Sequence, residues 1–219
     1  MTNVSSNLDI IDPDDNFFNE LFPNSDQTSG SKYYSTDMFK DLNPCSTYNL
    51  SLINYNVRSF NKNGRAFEAW LLSMPAVPSF VTLTETWNLN ETKQLCNIDG
   101  YTSVHTHRVT SNQIRGGPGG GVSVLFLNKF NCEQIDHLSY CNETIESCVC
   151  GVSINGKSVV IVAVYRPHTD NIGHFTAALE SILLDNTVRQ ADVVFVAGDM
   201  NIDVSNQART DVNSYIKVK

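Results

Sequence analysis

The chain has 219 residues, of which 41% are hydrophobic and 17% charged, and its formal net charge is −8. A chain of this length can bury a sizeable core, and its composition is typical of a globular protein with some polar, unstructured chain. No run reaches the roughly 18 consecutive apolar residues of a membrane span, and the N-terminus lacks the pattern of a secretory signal. Six cysteines without a C-x-x-C spacing indicate reduced thiols that fill core space. These features argue against a membrane protein, a disulfide scaffold and a structural zinc module.

Most of the negative charge lies near the start of the chain. The first 44 residues hold eight acids and two bases, whereas the remaining residues hold fifteen acids and thirteen bases. The leading stretch is rich in Asp, Asn, Ser and Pro, which is typical of solvated chain without a core. We therefore predict a mostly disordered acidic arm at residues 1–45, a globular domain at 46–204 and a polar end at 205–219.

The predicted domain opens with a strand, a helix and a second strand. An apolar strand pattern covers residues 50–57, an amphipathic helix ends at Pro75, and a second apolar run covers residues 80–84. Strand–helix–strand order is the pattern of a parallel crossover unit. Such a unit brings Asn56 and Glu85, which follow the two strands, to one edge of a sheet. Open α/β sheets bind their ligands at that edge.

The rest of the domain is rich in strands. We predict a strand at 122–127, a hairpin of strands 146–154 and 157–165, a helix capped near Asn171 and a strand at 193–197. Asn155-Gly156 is the hairpin signal, because both central residues of such a turn need a positive φ. The second hairpin strand is apolar on both faces, which indicates burial on both sides.

Polar side chains follow four of these strands. They are Asn56, Glu85, Tyr165 and the pair Asp199 and Asn201. In extended chain residues i and i+2 point to the same side, so Asp199 and Asn201 can face one site. Two carboxylates, two carboxamides and a phenol form a set of oxygen donors that suits Mg²⁺. Phosphoester hydrolysis needs such parts, although each residue taken singly is more typical of a turn after a strand.

Five short strings that contain these residues occur in order. They are Asn54–Ser59, Leu83–Trp87, Gly119–Val122, Val164–Pro167 and Gly198–Asn201. Together they resemble the endonuclease/exonuclease/phosphatase superfamily, and most closely the endonuclease domain of non-LTR (LINE-type) retrotransposons. The resemblance covers about residues 48–204. It implies an α/β four-layer sandwich, with two mixed β-sheets flanked by helices, and a Mg²⁺-dependent endonuclease that nicks DNA and accepts Mn²⁺ as a substitute.

The resemblance implies a role for each residue at the strand ends. Glu85 resembles the principal Mg²⁺ ligand, and Asn56 resembles the carboxamide that helps to hold the metal. Tyr165 resembles the phenol that reaches a phosphate oxygen. Asp199 resembles the residue that polarises the attacking water, and Asn201 resembles the one that binds the scissile phosphate.

Other residues are candidates for supporting roles. Glu146 lies where the family often has a Glu before a strand, and we interpret it as supporting rather than catalytic. Four arginines could form a phosphate-binding patch for nucleic acid: Arg58, Arg108, Arg115 and Arg166. The alternative interpretation is that they are scattered solvated charges. His105-Thr106-His107 could offer two imidazoles to a metal. Because no third ligand lies nearby in the sequence, we favour a solvent-facing or loop position for this pair.

The sequence departs from the family pattern near its end. The family places a further Asp and a Ser-Asp-His motif there, and the residues up to Lys219 contain neither. We therefore expect a C-terminally truncated domain with little or no nicking activity of its own. The resemblance implies DNA and the reverse transcriptase domain of the same element as partners, and an intracellular, nuclear location if chromosomal DNA is the target. The alternative is a non-catalytic, transposon-derived fragment that binds nucleic acid or a partner protein.

Overall fold

The computed structural model describes residues 50–74, 76–88, 96–108, 119–168 and 171–202. Its strands are β1 (Leu52–Asn56), β2 (Phe80–Thr84), β3 (Tyr101–Thr106), β4 (Val122–Leu127), β5 (Glu133–Gln134), β6 (Glu146–Ile154), β7 (Lys157–Tyr165) and β8 (Val193–Asp199). Its α-helices are α1 (Phe60–Leu72), α2 (Ile172–Leu183) and α3 (Asn186–Arg189), and a 3₁₀ turn covers Asp136–Leu138. The predicted arm and the predicted polar end lie outside the described residues. Within the described ranges, no helix has the length and apolar composition needed to cross a membrane.

The strands form two mixed sheets of four strands each. The first sheet has the order β1-β2-β4-β3, with β1 parallel to β2 and β4 antiparallel to both of its neighbours. The second has the order β5-β6-β7-β8, with β7 and β8 parallel. The edge strands β1 and β8 lie beside each other, since the Asn54 side-chain amide donates to the Gly198 carbonyl at 3.1 Å.

Three apolar clusters hold the layers together. The first lies between the facing sides of the two sheets and includes Phe80 and Ile161. The second packs Leu71 of α1 against β2 and β4, and the third packs Phe175 of α2 against β6 and β7. Helix, sheet, sheet and helix therefore stack in that order. The predicted four-layer α/β sandwich of two mixed sheets and flanking helices is confirmed.

The predicted local signals act as expected. Asn155 and Gly156 have φ values of 51° and 75° and join β6 to β7. β7 is buried from Val159 through Tyr165, as its two apolar faces indicated. Asn171 caps α2, because its side-chain oxygen accepts a hydrogen bond from the Gly173 N–H at 2.7 Å.

Two of the differences from the sequence prediction concern β3 and β8. β3 was not predicted, because its sequence YTSVHT lacks a regular apolar alternation; pairing with β4 along its whole length makes it a strand. β8 extends two residues beyond the predicted end at Ala197, because Gly198 and Asp199 continue the pairing with Val164 and Tyr165 of β7. A side chain at Gly198 would collide with the Val164 carbonyl, so the close approach requires glycine.

The described cysteines occupy the core as thiols. Cys96, Cys132, Cys148 and Cys150 are buried and Cys141 is partly buried, and all five are free. Burial raises the pKa of the Cys96 and Cys148 thiols to about 12. Both groups are therefore neutral at physiological pH and act as small apolar side chains, as the sequence indicated.

Candidate functional site

The candidate site lies at one end of the sandwich, where four parallel-paired strands reach their carboxyl ends. β1 and β2 end at Asn56 and just before Glu85, and β7 and β8 end at Tyr165 and Asp199. An open cleft of about 490 Å³ lies here and is lined by Asn54, Asn56, Gly198, Asp199, Met200, Asn201 and Ile202. The fold therefore brings Asn56 and Asp199, which are 143 positions apart in the chain, into direct contact.

Asn56 joins the two carboxylates of the site. Its Nδ2 donates to Glu85 Oε1 at 2.8 Å and to Asp199 Oδ2 at 2.6 Å. Its Oδ1 accepts from the backbone N–H of Arg58 at 3.2 Å, which orients the amide. The Asn56 carboxamide thus holds the Glu85 and Asp199 carboxylates close enough together for one ligand to contact both. The sequence alone could not specify the contacts of Asn56 with these carboxylates.

Tyr165 contacts the same Glu85 carboxylate oxygen as Asn56 does. Its hydroxyl donates to Glu85 Oε1 at 3.4 Å. Burial, together with the nearby Glu85 carboxylate, raises the pKa of the phenol to about 12. Tyr165 is therefore protonated at neutral pH and can donate a hydrogen bond to an anionic oxygen.

The backbone around Glu85 is strained and firmly held. Glu85 and Trp87 both have a positive φ, at 53° and 56°, which is uncommon for side chains of their size. The Glu85 carbonyl accepts from the Ser59 N–H at 2.8 Å, and the Trp87 N–H donates to the Gly120 carbonyl at 2.9 Å. Strain of this kind persists only where surrounding contacts impose it, and it is concentrated at functional sites.

Asn201 and Arg166 lie beside Asp199 in a hydrogen-bonded loop. The Asn201 N–H donates to Asp199 Oδ1 at 3.1 Å, while its Nδ2 donates to the Arg166 carbonyl at 2.7 Å. Arg166 is buried, with 7% of its surface exposed, and its Nε donates to the Met200 carbonyl at 2.7 Å. These contacts give the Arg166 side chain a structural part in holding the loop after β8. Its predicted contact with nucleic acid stays a prediction, as does the phosphate contact of Asn201.

The other predicted arginines have different surroundings. Arg58 is exposed at the end of β1 and has a φ of 43°. Arg115 lies outside the described residues. Arg108 forms an ion pair with Glu146, so the four arginines do not share one environment.

Glu146 is fully buried beneath the candidate site. Its Oε1 accepts from Arg108 Nε at 2.6 Å, and its Oε2 accepts from the Gly121 N–H at 2.5 Å. Burial raises the pKa of the Glu146 carboxyl, and Arg108 opposes that rise. The supporting role that the resemblance implies for Glu146 stays a prediction, and the pairing with Arg108 was not foreseen.

His105 is a strand residue, and His107 follows the strand. Their rings stack with centroids 5.5 Å apart. Both His105 ring nitrogens have serine partners, with Nε2 at 2.8 Å from Ser103 Oγ and Nδ1 at 2.8 Å from Ser123 Oγ. The favoured solvent-facing or loop position is therefore wrong for His105, because the residue lies in β3 and its half-buried ring is held by two serine hydroxyls.

The half-buried His105 ring predicts a pH-dependent loss of stability. Burial, with a smaller contribution from His107, lowers the pKa of His105 from 6.5 to about 4. The native state thus binds fewer protons than the unfolded state in this window, and stability falls as the pH drops from 6.5 towards 4. We expect His105→Asn to remove on the order of 2 kcal/mol of this decline. Urea unfolding of both proteins across the window measures it, with His168→Asn at an exposed position as control; parallel curves for all three would contradict the assignment.

The donor set of the site suits a hard divalent cation. Among the described residues no group of three or more His, Cys, Asp or Glu could hold a metal ion. Magnesium does not require such a group, since it binds through one or two carboxylates and keeps several waters. Glu85 and Asp199, joined by the Asn56 amide, supply two carboxylates at one place. The residues present therefore fit Mg²⁺ by the chemistry of their donors.

Comparison with known sequences identifies the family. The sequence pattern of the Endonuclease/Exonuclease/phosphatase family matches residues 47–215. The chain belongs to this family. The matched range contains all of the residues that converge on the candidate site. No curated protein has a sequence significantly similar to this chain.

Solved structures of several nucleases and related proteins share the family fold. The AP endonuclease LMAP from Leishmania major is 17% identical, with 86% of this chain and 64% of that chain covered and a TM-score of 0.54. The endonuclease domain of TRAS1, a telomere-specific non-LTR retrotransposon, is 10% identical, with 76% and 69% covered and a TM-score of 0.51. D. rerio TDP2 complexed with a single-strand DNA product is 16% identical, with 76% and 64% covered and a TM-score of 0.50. The chain thus spans about two thirds of each of these structures, and the likeness establishes the fold.

Proposed function

We propose that this family member is a metal-dependent phosphodiester hydrolase that nicks DNA. The observation that carries the proposal is the Asn56 amide, which donates to the Glu85 carboxylate and to the Asp199 carboxylate at the ends of three strands. A metal ligand and a water-activating group are both carboxylates in this chemistry, and they must lie close to one phosphorus atom. The site supplies both carboxylates, Glu85 and Asp199, and each accepts a hydrogen bond from the Asn56 Nδ2.

Glu85 and Asn56 are the proposed holders of Mg²⁺ or Mn²⁺. The bound cation would neutralise charge on the phosphate oxygens. Glu85 supplies a carboxylate oxygen for this purpose, and the strained, doubly held backbone keeps that oxygen in place. Asn56 helps to hold the cation site by keeping the two carboxylates together through its Nδ2, while its Oδ1 accepts from the Arg58 N–H.

Asp199 and Tyr165 have complementary parts in the proposed reaction. Asp199 accepts a hydrogen bond from the attacking water and takes up its proton, while the Asn201 N–H and the Asn56 amide hold the carboxylate in one orientation. Tyr165 remains protonated, because burial and the nearby Glu85 raise its pKa to about 12, and its O–H can donate to a non-bridging phosphate oxygen. Exposed Arg58 is proposed to bind a flanking phosphate.

Two substrates test the proposal together. Supercoiled plasmid reports nicking, and bis(4-nitrophenyl) phosphate reports diester hydrolysis when the leaving group needs no proton. The proposal predicts that both are cleaved in Mg²⁺ or Mn²⁺ and neither in EDTA. This prediction replaces the near absence of nicking expected from the sequence, because Asp199 is held in position to take up the proton. Plasmid that is shifted on a gel but stays intact, with the small diester also uncleaved, would favour the non-catalytic alternative in which the chain only binds nucleic acid.

We further propose that the enzyme is of the retrotransposon type rather than the repair type. The Glu85-Thr86-Trp87 string supports this, since the repair branch tends to have Lys after Glu-Thr. The proposed partners are then intact DNA and a reverse transcriptase domain of the same element, in the nucleus. A duplex with one abasic site separates the two types: we expect cleavage of the unmodified duplex at a similar rate, and a strong preference for the abasic site would contradict the assignment.

A further inference from the structure

We infer that Glu146 is a positioning residue that holds the Glu85 loop through the backbone of Gly120 and Gly121, while Arg108 holds the Glu146 carboxylate. This inference rests on the proposed function, since Glu85 is the proposed metal ligand. Glu146 does not reach Glu85 itself. It acts on the segment from Gly120 to Gly121, which in turn holds the residues immediately after Glu85.

The first step is the hydrogen bond between Glu146 and the glycine segment, Gly120 and Gly121. Its Oε2 accepts from the Gly121 N–H at 2.5 Å and its Oε1 accepts from Arg108 Nε at 2.6 Å. The carboxylate is fully buried, and the Arg108 side chain is 15% exposed. A buried carboxylate held by the Arg108 guanidinium and the Gly121 N–H is costly to disturb, because a change leaves charge or N–H groups without a partner.

The second step passes from the glycines to the Glu85 loop. The Thr86 N–H donates to the Gly121 carbonyl at 3.2 Å, and the Trp87 N–H donates to the Gly120 carbonyl at 2.9 Å. These two hydrogen bonds pin the chain directly after Glu85, whose own carbonyl is held from the other side by the Ser59 N–H. The left-handed conformation of Glu85 is thereby imposed by its neighbours.

The close fit of this region explains the two glycines. Gly120 and Gly121 have φ values of 78° and 87°. A Cβ on Gly120 would strike the Glu146 carboxylate, and a Cβ on Gly121 would lie 2.5 Å from the Thr86 hydroxyl. Glu146, the glycine segment and the Glu85 loop are therefore packed in direct succession, with no room for a side chain between them.

Glu146→Gln tests the inference, because glutamine has one acceptor where Arg108 and Gly121 both donate. We expect the variant to fold, its Mg²⁺ affinity to fall about 10–100-fold, the range found when partners behind a metal ligand are lost, and kcat to fall with little change in KM. Hydrogen exchange of the Thr86 and Trp87 amides should accelerate about tenfold. Arg108→Lys keeps the charge but loses the Nε donor, so its Mg²⁺ affinity and amide exchange rates should lie between those of the wild type and Glu146→Gln. It replaces Glu146→Gln in the test if that variant does not fold.

The control is Ser147→Ala on the same strand. Ser147 is fully buried, points away from Glu146 and donates from Oγ to the Leu138 carbonyl at 2.7 Å. The Ser147→Ala variant should be less stable than the wild type, with no change in its Mg²⁺ affinity or in the hydrogen exchange of the Thr86 and Trp87 amides. The inference is overturned if Glu146→Gln and Ser147→Ala behave alike in both measurements. If the wild type neither binds Mg²⁺ nor cleaves, the proposed function fails, and amide exchange alone still decides whether Glu146 holds the loop.

Discussion

Asp199→Asn should abolish most hydrolysis while leaving the fold intact. The substitution keeps the size of the side chain and its contact with the Asn201 N–H, but removes the charge that accepts a proton from water. A positioned base contributes about 10²–10⁴-fold to such a step, so kcat for bis(4-nitrophenyl) phosphate should fall by that factor. Because the small diester needs no proton on its leaving group, the loss reports on the Asp199 carboxylate, including its contact with Asn56, and not on protonation of the leaving group.

Asp192→Asn is the matched control for this change. Asp192 directly precedes the same strand, β8, is exposed, and accepts from the Ser158 N–H at 2.8 Å and from Lys157 Nζ at 3.0 Å. It lies at the opposite end of β8 from the candidate site, so its replacement should leave kcat unchanged. Equal activity of Asp199→Asn and Asp192→Asn would remove Asp199 from the proposed mechanism.

Glu85→Gln should remove most of the stability gained from a divalent cation. A cation present at 100 times its Kd adds about 2.7 kcal/mol to the free energy of unfolding, which for a chain of this size raises Tm by about 5–10 °C. Glutamine keeps an oxygen that can accept from Asn56 and Tyr165, but loses the charge that a hard cation prefers. Thermal unfolding in Mg²⁺, in Mn²⁺ and in EDTA measures the difference for each protein.

Glu68→Gln provides the comparison for Glu85→Gln. Glu68 lies on α1, away from the strand ends, and its carboxylate accepts from the Asp99 N–H at 3.1 Å. Its replacement should leave the cation-induced rise in Tm as in the wild type. If Glu85→Gln shows the full rise as well, Glu85 is not the ligand, and a cation that stabilises the fold binds elsewhere.

Much of the fold follows from local features of the sequence. The alternation and apolar runs of β1, β2, β6 and β7 specify strands because each strand buries one or both faces against the neighbouring layers. Asn155-Gly156 specifies the hairpin because its two residues tolerate positive φ. These signals depend on residues close together in the chain, so they can be recognised without the tertiary structure. β3 was not predicted from the sequence because pairing with β4 stabilises it, whereas its own residues show no regular apolar alternation.

For the candidate site, the chemical groups at the strand ends could be identified from the sequence: a carboxamide at the end of β1, a carboxylate after β2, a phenol at the end of β7 and a carboxylate at the end of β8. Which of these groups are in contact depends on the packing of the two sheets. The contact of Asn56 with both Glu85 and Asp199 depends on how the edges of two sheets meet. Likewise, nothing in the sequence distinguishes Arg108 and Arg166 from other arginines. In the structure, Arg108 pairs with a buried carboxylate, and Arg166 donates to two backbone carbonyls. Such contacts join residues far apart in the chain, and their geometry is set by the packing of whole layers, which no local pattern encodes.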